Sequence, residues 1–144
     1  MARGGLATKI RYRKMSYHRY FKWSTPDFDG IVEGKCCCPC CGYPTLNSWS
    51  GFEICLICWW EDDGTGDQKA NFVAGGTNGS YSLMEARANF EDHGDMYRYD
   101  AGRIRVVSEP SRQRLALLHY IRNLEAGTEL DRETFFRLHH AAAN

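Results

Sequence analysis

The chain has 144 residues, 43% of them hydrophobic and 25% charged, with 18 basic and 18 acidic side chains and a formal net charge of zero. That balance excludes a nucleic-acid binder that is basic in bulk and a supercharged acidic protein. The length suits one domain with extensions, large enough to bury a real core. The anomalous count is seven cysteines. The first 14 residues hold Arg3, Lys9, Arg11, Arg13 and Lys14 without the apolar run of a secretory leader, and no stretch reaches 18 consecutive apolar residues. A cytoplasmic location is expected. There, clustered cysteines point to a metal before a disulfide, and an odd number cannot pair completely.

Charge divides the chain into three segments. Residues 1–35 carry eight basic and three acidic groups, residues 36–100 three basic and ten acidic, and residues 101–144 seven basic and five acidic. The zero total therefore hides an acidic middle between two basic ends. Either the ends fold back onto the middle, or the middle presents a face to a basic partner. The organisation expected is a basic N-terminal extension over 1–35, a cysteine-rich domain over 36–108 and a helical hairpin over 109–144. Within the extension, Arg11, Tyr12, Arg13, Lys14, Tyr17, His18, Arg19 and Tyr20 interleave basic and aromatic side chains, a pattern able to bind single-stranded nucleic acid. The acidic segment beside it repels phosphate, so a basic arm packed on the acidic middle is the preferred reading and nucleic acid is not the expected partner. Ser24-Thr25-Pro26-Asp27 and Asp29-Gly30 then punctuate the chain.

All the cysteines lie between residues 36 and 58. Cys38-Pro39-Cys40-Cys41-Gly42 contains a C-x-x-C pair, and thirteen residues separate Cys41 from a second pair, Cys55 and Cys58. Two thiolates three positions apart share one tight turn, with their sulfurs on the same side and backbone N–H groups able to point at them. Pro39 stiffens the first turn, and Gly42 supplies the positive φ that closes the backbone behind a metal. Cys38, Cys41, Cys55 and Cys58 are the ligand set expected for a structural Zn²⁺, with iron as the second candidate. Four thiolates leave no open position for catalysis. Cys37 and Cys40 have the same spacing, but Gly42 directly after Cys41 favours the Cys38/Cys41 pair. Cys36, Cys37 and Cys40 are then spare and are expected to be buried and inert. Tyr43 to Ile54 reads as two short strands joined by a turn near Ser50-Gly51, with Phe52-Glu53-Ile54 alternating in the manner of a strand. Trp49, Trp59 and Trp60 are expected chiefly to cap the small core around the knuckles.

Glu61, Asp62, Asp63 and Asp67 fall in a loop that lacks the ligand pattern and closing Glu of an EF-hand. It reads as a solvated acidic loop and as the surface that would face a basic partner. Gly75 to Ser80 is a second loop and lacks the order of a phosphate-binding P-loop. A helix follows, with Ser82 as N-cap, Glu85 at capping-box spacing, Leu83, Ala86 and Phe90 on one face and Gly94 at its end. Residues 101–107 read as a last strand. From Ser108, a candidate cap, and Pro110, the pattern Leu115, Leu118, Ile121, Leu124 is helical until Gly127. Thr128 with Asp131 opens a second helix through Phe135 and Leu138. His139-His140 is expected to be a solvated helix end. The five histidines (His18, His93, His119, His139, His140) form neither H-x-x-x-H nor H-E-x-x-H, and no nucleophile motif is present, so no enzyme activity is expected.

Cys38-Pro39-Cys40-Cys41-Gly42-Tyr43, Thr45-Leu46, Phe52-Glu53-Ile54-Cys55, Cys58, Trp60-Glu61-Asp62-Asp63, Gly75-Gly76, Asn78-Gly79, Ser82-Leu83, Ala86, Asn89-Phe90 and Gly94 occur in that order. In this, residues 38–94 resemble the bacterial cysteine-rich CPCC family. The resemblance implies a small zinc-ribbon-like domain with an attached helix. Members are similar to accessory proteins of bacterial toxin loci, and some resemble immunity proteins. The fold expected is therefore small α+β: a zinc-ribbon-like knuckle pair with short antiparallel strands, one packed helix and a C-terminal helical hairpin. The function expected is a non-enzymatic protein-binding module that neutralises a basic toxin domain through Glu61, Asp62, Asp63 and Asp67. A nucleic-acid-binding ribbon and a thiol redox or metal-handling protein are the alternatives.

Overall fold

A computed structural model describes residues 28–99 and 111–143. The basic-aromatic run at 11–20, the strand expected at 101–107, the capping residue Ser108 with Pro110, and Asn144 lie outside the described residues. The sheet is small, antiparallel and three-stranded: β1 (Ile31–Val32), β2 (Lys35–Cys37) and β3 (Pro44–Leu46), in that order. Val32 pairs with Lys35 across a two-residue turn whose residues, Glu33 (φ 50) and Gly34 (φ 81), both sit in the left-handed region. Such a turn matches the right-handed twist of the flanking strands. The pairing crosses residue 35, so the segment expected as an N-terminal extension shares its last residues with the sheet. β2 and β3 are joined by the first cysteine knuckle, and their register shifts between Cys36 and Cys37.

The second strand expected before Cys55 does not form beside β3. Ser50 and Phe52 both have φ 60, which breaks an extended run. Phe52 to Ile54 turns instead toward residues 60–62. The Phe52 amide donates to the Asp62 carbonyl at 2.9 Å, the Asp62 amide donates to the Glu53 carbonyl at 3.0 Å, and Ile54 bridges Glu61.

Helix α1 (Leu83–His93) begins and ends as its sequence predicts. The Ser82 hydroxyl accepts from the Glu85 amide, and Gly94 (φ 94) closes the helix by donating to the Phe90 carbonyl. Leu83, Ala86 and Phe90 are buried. Helices α2 (Arg112–Glu125) and α3 (Arg132–Ala142) make the hairpin, with Gly127 (φ 115) in the turn between them. Three local details differ from the sequence reading. The α2 cap is Ser111, because its hydroxyl is the one that reaches the Arg114 amide, at 3.0 Å. The α3 cap is Asp131, whose carboxylate accepts from the Thr134 amide and hydroxyl. A charged acceptor at a helix N-terminus outcompetes the hydroxyl of Thr128 three residues earlier. The buried face of α2 is Arg114, Leu117, Ile121 and Leu124, whereas Leu115 is exposed. Apolar residues occupy two adjacent stripes of this helix, and periodicity alone does not choose between them.

Among the described residues, two apolar clusters organise the fold. The larger joins the cysteines of the knuckles to Tyr43, Leu46, Ile57, Trp60, Leu83, Phe90, Leu117 and Ile121. The smaller joins Phe28, Val32 and Cys37 to Leu124 and Phe135. Helix α2 thus spans both, with Leu117 and Ile121 over the knuckles and Leu124 over the sheet. His139 completes the hairpin's attachment and is not a solvated helix end. It is 2% exposed, lies 4.3 Å from the Phe135 ring centroid, and its nitrogens face the Phe135 and Pro44 carbonyls, each at 2.7 Å. Burial depresses the imidazole's pKa below its ordinary value and outweighs the two carbonyls, which pull the other way.

The unfolded chain takes up this proton near pH ~6.5 while the folded chain resists it, so the stability His139 provides is complete above that pH and is lost as pH falls through it. Thermal unfolding between about pH 7 and pH 5 should therefore cost the wild-type protein more than a His139→Gln variant, whose pH dependence is flatter. Phe135→Ala, which removes the ring seated between α3 and the sheet, should cost about 3–5 kcal/mol in denaturant unfolding.

Candidate metal centre

The two C-x-x-C segments fold into the same local structure. In the first knuckle the Gly42 amide donates to the Cys38 carbonyl at 2.8 Å and the Cys38 amide to the Tyr43 carbonyl at 2.9 Å. In the second, the Trp59 amide donates to the Cys55 carbonyl at 3.3 Å and the Cys55 amide to the Trp60 carbonyl at 2.9 Å. Each turn therefore closes on the residue just after its second cysteine, and both residues are left-handed, Gly42 at φ 81 and Trp59 at φ 77. Glycine takes this conformation freely; for tryptophan it costs on the order of 1–3 kcal/mol. Backbone amides face the sulfurs as the spacing requires. Cys40 N lies 3.3 Å from Cys38 Sγ, Ile57 N 3.3 Å from Cys55 Sγ and Cys58 N 3.4 Å from the same atom. The Thr45 hydroxyl is also 3.0 Å from Cys55 Sγ.

The four sulfurs of Cys38, Cys41, Cys55 and Cys58 lie within 4.8 Å of one another, and all four residues are buried. The cross-knuckle separations Cys38–Cys58 and Cys41–Cys55 are both 3.7 Å. A tetrahedron with metal–sulfur bonds of ~2.3 Å has edges of ~3.8 Å, so these separations are those of a zinc-sized tetrathiolate. They are also far too long for a disulfide, and all seven cysteines are free. Burial pushes the Cys38 thiol up to about 11 and the Cys41 and Cys58 thiols well above their ordinary value. Burial acts on Cys55 too, but hydrogen bonds from Cys38, Cys41 and Cys58 pull it well below.

The supports reach in from several elements. Arg87 of α1 donates to the Pro39 carbonyl at 2.9 Å and pairs with Asp67 at 2.6 Å, tying the first knuckle to α1 and to the acidic loop. The Met96 amide donates to the Cys58 carbonyl at 2.9 Å, tying the second knuckle to the segment after α1. Trp60 is fully buried, and Trp49 and Trp59 are half-buried against the same core.

The four acidic residues expected on a partner-facing surface divide. Asp62 is 0% exposed and clamps the loop from inside, accepting from the Ser50 amide at 2.7 Å and the Gly64 amide at 3.3 Å. Asp67 is held by Arg87. Asp63 accepts from the Thr65 amide at 3.0 Å and the Asn78 side chain at 3.4 Å. The Glu61 backbone is clamped by Asn78, while its carboxylate makes no hydrogen bond among the described residues. Sequence reasoning missed Thr45 and Arg87 as parts of the centre, and it read Trp59 as a cap on the core without seeing that it closes the second knuckle. Trp59 could have been found by superposing the two motifs, since it follows Cys55 at the offset at which Gly42 follows Cys38. Nothing in the sequence marks Thr45 or Arg87.

This is the architecture of a small α+β protein built around four cysteines positioned to bind a metal ion. The family model described as Cysteine-rich CPCC matches residues 36–112, more than half the chain, and the protein belongs to that family. No curated protein and no solved structure matches it.

A divalent metal must displace the protons of the three raised thiols, so binding should strengthen steeply as pH rises. Calorimetry in buffers of different ionisation enthalpy should read protons released on metal binding. Serine at any of Cys38, Cys41, Cys55 or Cys58 should abolish tight binding, whereas Cys36→Ser, at a residue outside the cluster, should leave one metal per chain by elemental analysis.

Proposed function

We propose that the protein is a non-enzymatic protein-binding module of the cytoplasm, stabilised by structural Zn²⁺ on Cys38, Cys41, Cys55 and Cys58. Its partner is a basic protein surface, and neutralisation of a toxin domain by an immunity protein is the leading case. The tetrahedral four-sulfur spacing suits zinc or iron, and zinc is favoured because no other motif in the sequence points to electron transfer. Among the described residues no helix is long and apolar enough to cross a membrane.

The observation that carries this reading is the contrast between a closed metal centre and the open surface beside it. Phe52 (58% exposed) and Ile54 (49%) stand out from the second knuckle. Next to them a recess of about 270 Å³ is lined by Ile54, Trp59, Glu61, Tyr81, Met96 and Tyr97. Exposed apolar anchors around one carboxylate suit a partner that presents a Lys or Arg side chain flanked by apolar ones. The acidic site is thereby narrowed to Glu61, since Asp62, Asp63 and Asp67 serve the loop. Buried thiols weaken the redox alternative: burial, then Glu53, Asp62 and Asp29, push Cys36 up to about 11, and burial drives Cys37 higher still.

The zinc-loaded full chain should co-purify from its native host with a stoichiometric protein partner. Ile54→Asp and Glu61→Lys should each weaken that complex about tenfold or more, as expected of interface anchors. Binding indifferent to both changes would contradict the reading, as would nucleic-acid binding that falls steeply with salt.

A further inference from the structure

Arg114 sits where an arginine has three reasons not to be. It is 9% exposed, in the first turn of α2, where the helix dipole opposes a positive charge. Its Nε and Nη2 are buried without hydrogen-bond acceptors among the described residues. Its guanidinium carbon lies over the Trp59 ring at 5.2 Å from the centroid. Trp59 in turn is the residue that closes the second knuckle in a strained left-handed conformation, where the first knuckle has a glycine. Burial lowers the Arg114 pKa, and the charges opposing that effect are Cys55, Cys58, Asp95 and Cys41, three of them metal-site thiols. Asp95 is already engaged, accepting from the Tyr97 amide at 2.8 Å and lying 3.5 Å from His93 Nε2.

A tetrathiolate around a divalent ion carries two net negative charges in a buried site, and a buried centre of that kind needs a counter-charge. We propose that Arg114, seated on the strained Trp59, is the counter-charge of the metal tetrathiolate, which makes the C-terminal hairpin part of the metal centre. This rests on the reading that a divalent metal occupies the four cysteines. It also explains why tryptophan is tolerated at a glycine position: the ring provides the platform that holds the guanidinium over the second knuckle. The family match ends at residue 112, so Arg114 supplies the centre from just beyond the matched segment. Arg114 is a positioning and charge-balancing residue and touches no sulfur within hydrogen-bonding distance.

The test uses the full chain, with zinc affinity measured by competition against a chromophoric chelator and the reduction potential measured after iron replaces zinc. Arg114→Met keeps an apolar stem on Trp59 but removes the charge, and should weaken zinc binding by about 10- to 100-fold. It should also move the iron potential to more negative values, because the reduced tetrathiolate carries one more negative charge than the oxidised one and loses more when a nearby positive charge is removed. Arg114→Lys should restore both. Arg114→Gln, which keeps hydrogen-bonding capacity without charge, should behave as the methionine variant and serves if that variant does not fold. Wild-type affinity and potential in both neutral variants would overturn the proposal, as would equal losses in the lysine and methionine variants with no change in potential. A wild-type chain that binds no metal would overturn the metal reading as well, whereas metal bound equally by all variants would overturn the role of Arg114 alone.

Discussion

Four cysteine sulfurs from two separate turns meet in the interior at tetrahedral spacing, and this juxtaposition organises the rest of the molecule. Backbone amides of the turns point at the sulfurs, which suits negative charge, while burial opposes that charge. A divalent cation would resolve the conflict by removing protons and bonding all four sulfurs at once. The three strands, none longer than three residues, do not make a stable sheet by themselves. A metal bound by the four cysteines would supply what the sheet lacks by fixing the β2–β3 hairpin to the second knuckle. Helix α1 is attached to both knuckles, through Arg87 to Pro39 and through the segment after it by Met96 to Cys58.

The hairpin of α2 and α3 closes the centre from the other side. Leu117 and Ile121 pack on the knuckle cluster, Leu124 and Phe135 on the sheet, and His139 bonds to the Pro44 carbonyl at the start of β3. The Tyr43 hydroxyl, next to the first knuckle, donates to Glu125 at 2.9 Å. Few places in the described structure are thus independent of the metal centre. The acidic loop belongs to the same construction: Asp62 and Asn78 hold it from within, and Asp67 is spent on Arg87.

The parts legible in the sequence were those encoded by short, local patterns. The C-x-x-C pairs, Gly42, Ser82 with Glu85, and Gly94 each act within one turn of chain, where spacing determines geometry. What escaped depends on contacts between distant residues. The partner of Phe52–Ile54 is decided by Asp62, which takes the Ser50 amide with its carboxylate and the Phe52 amide with its carbonyl. His139 is buried because α3 lies against Pro44, far away in the chain, and a pair of terminal histidines carries no sign of that. Arg114 shares the buried face of α2 with Leu117, Ile121 and Leu124, and the helical pattern by itself does not mark an arginine as inside. Asp62 looked like its acidic neighbours, yet burial separates it from Glu61.

X-ray absorption spectroscopy at the zinc edge of the metal-loaded full chain tests the central claim most directly. The account predicts a shell of four sulfurs at ~2.3 Å with no nitrogen or oxygen ligand. A shell containing light-atom ligands, or fewer than four sulfurs, would contradict it.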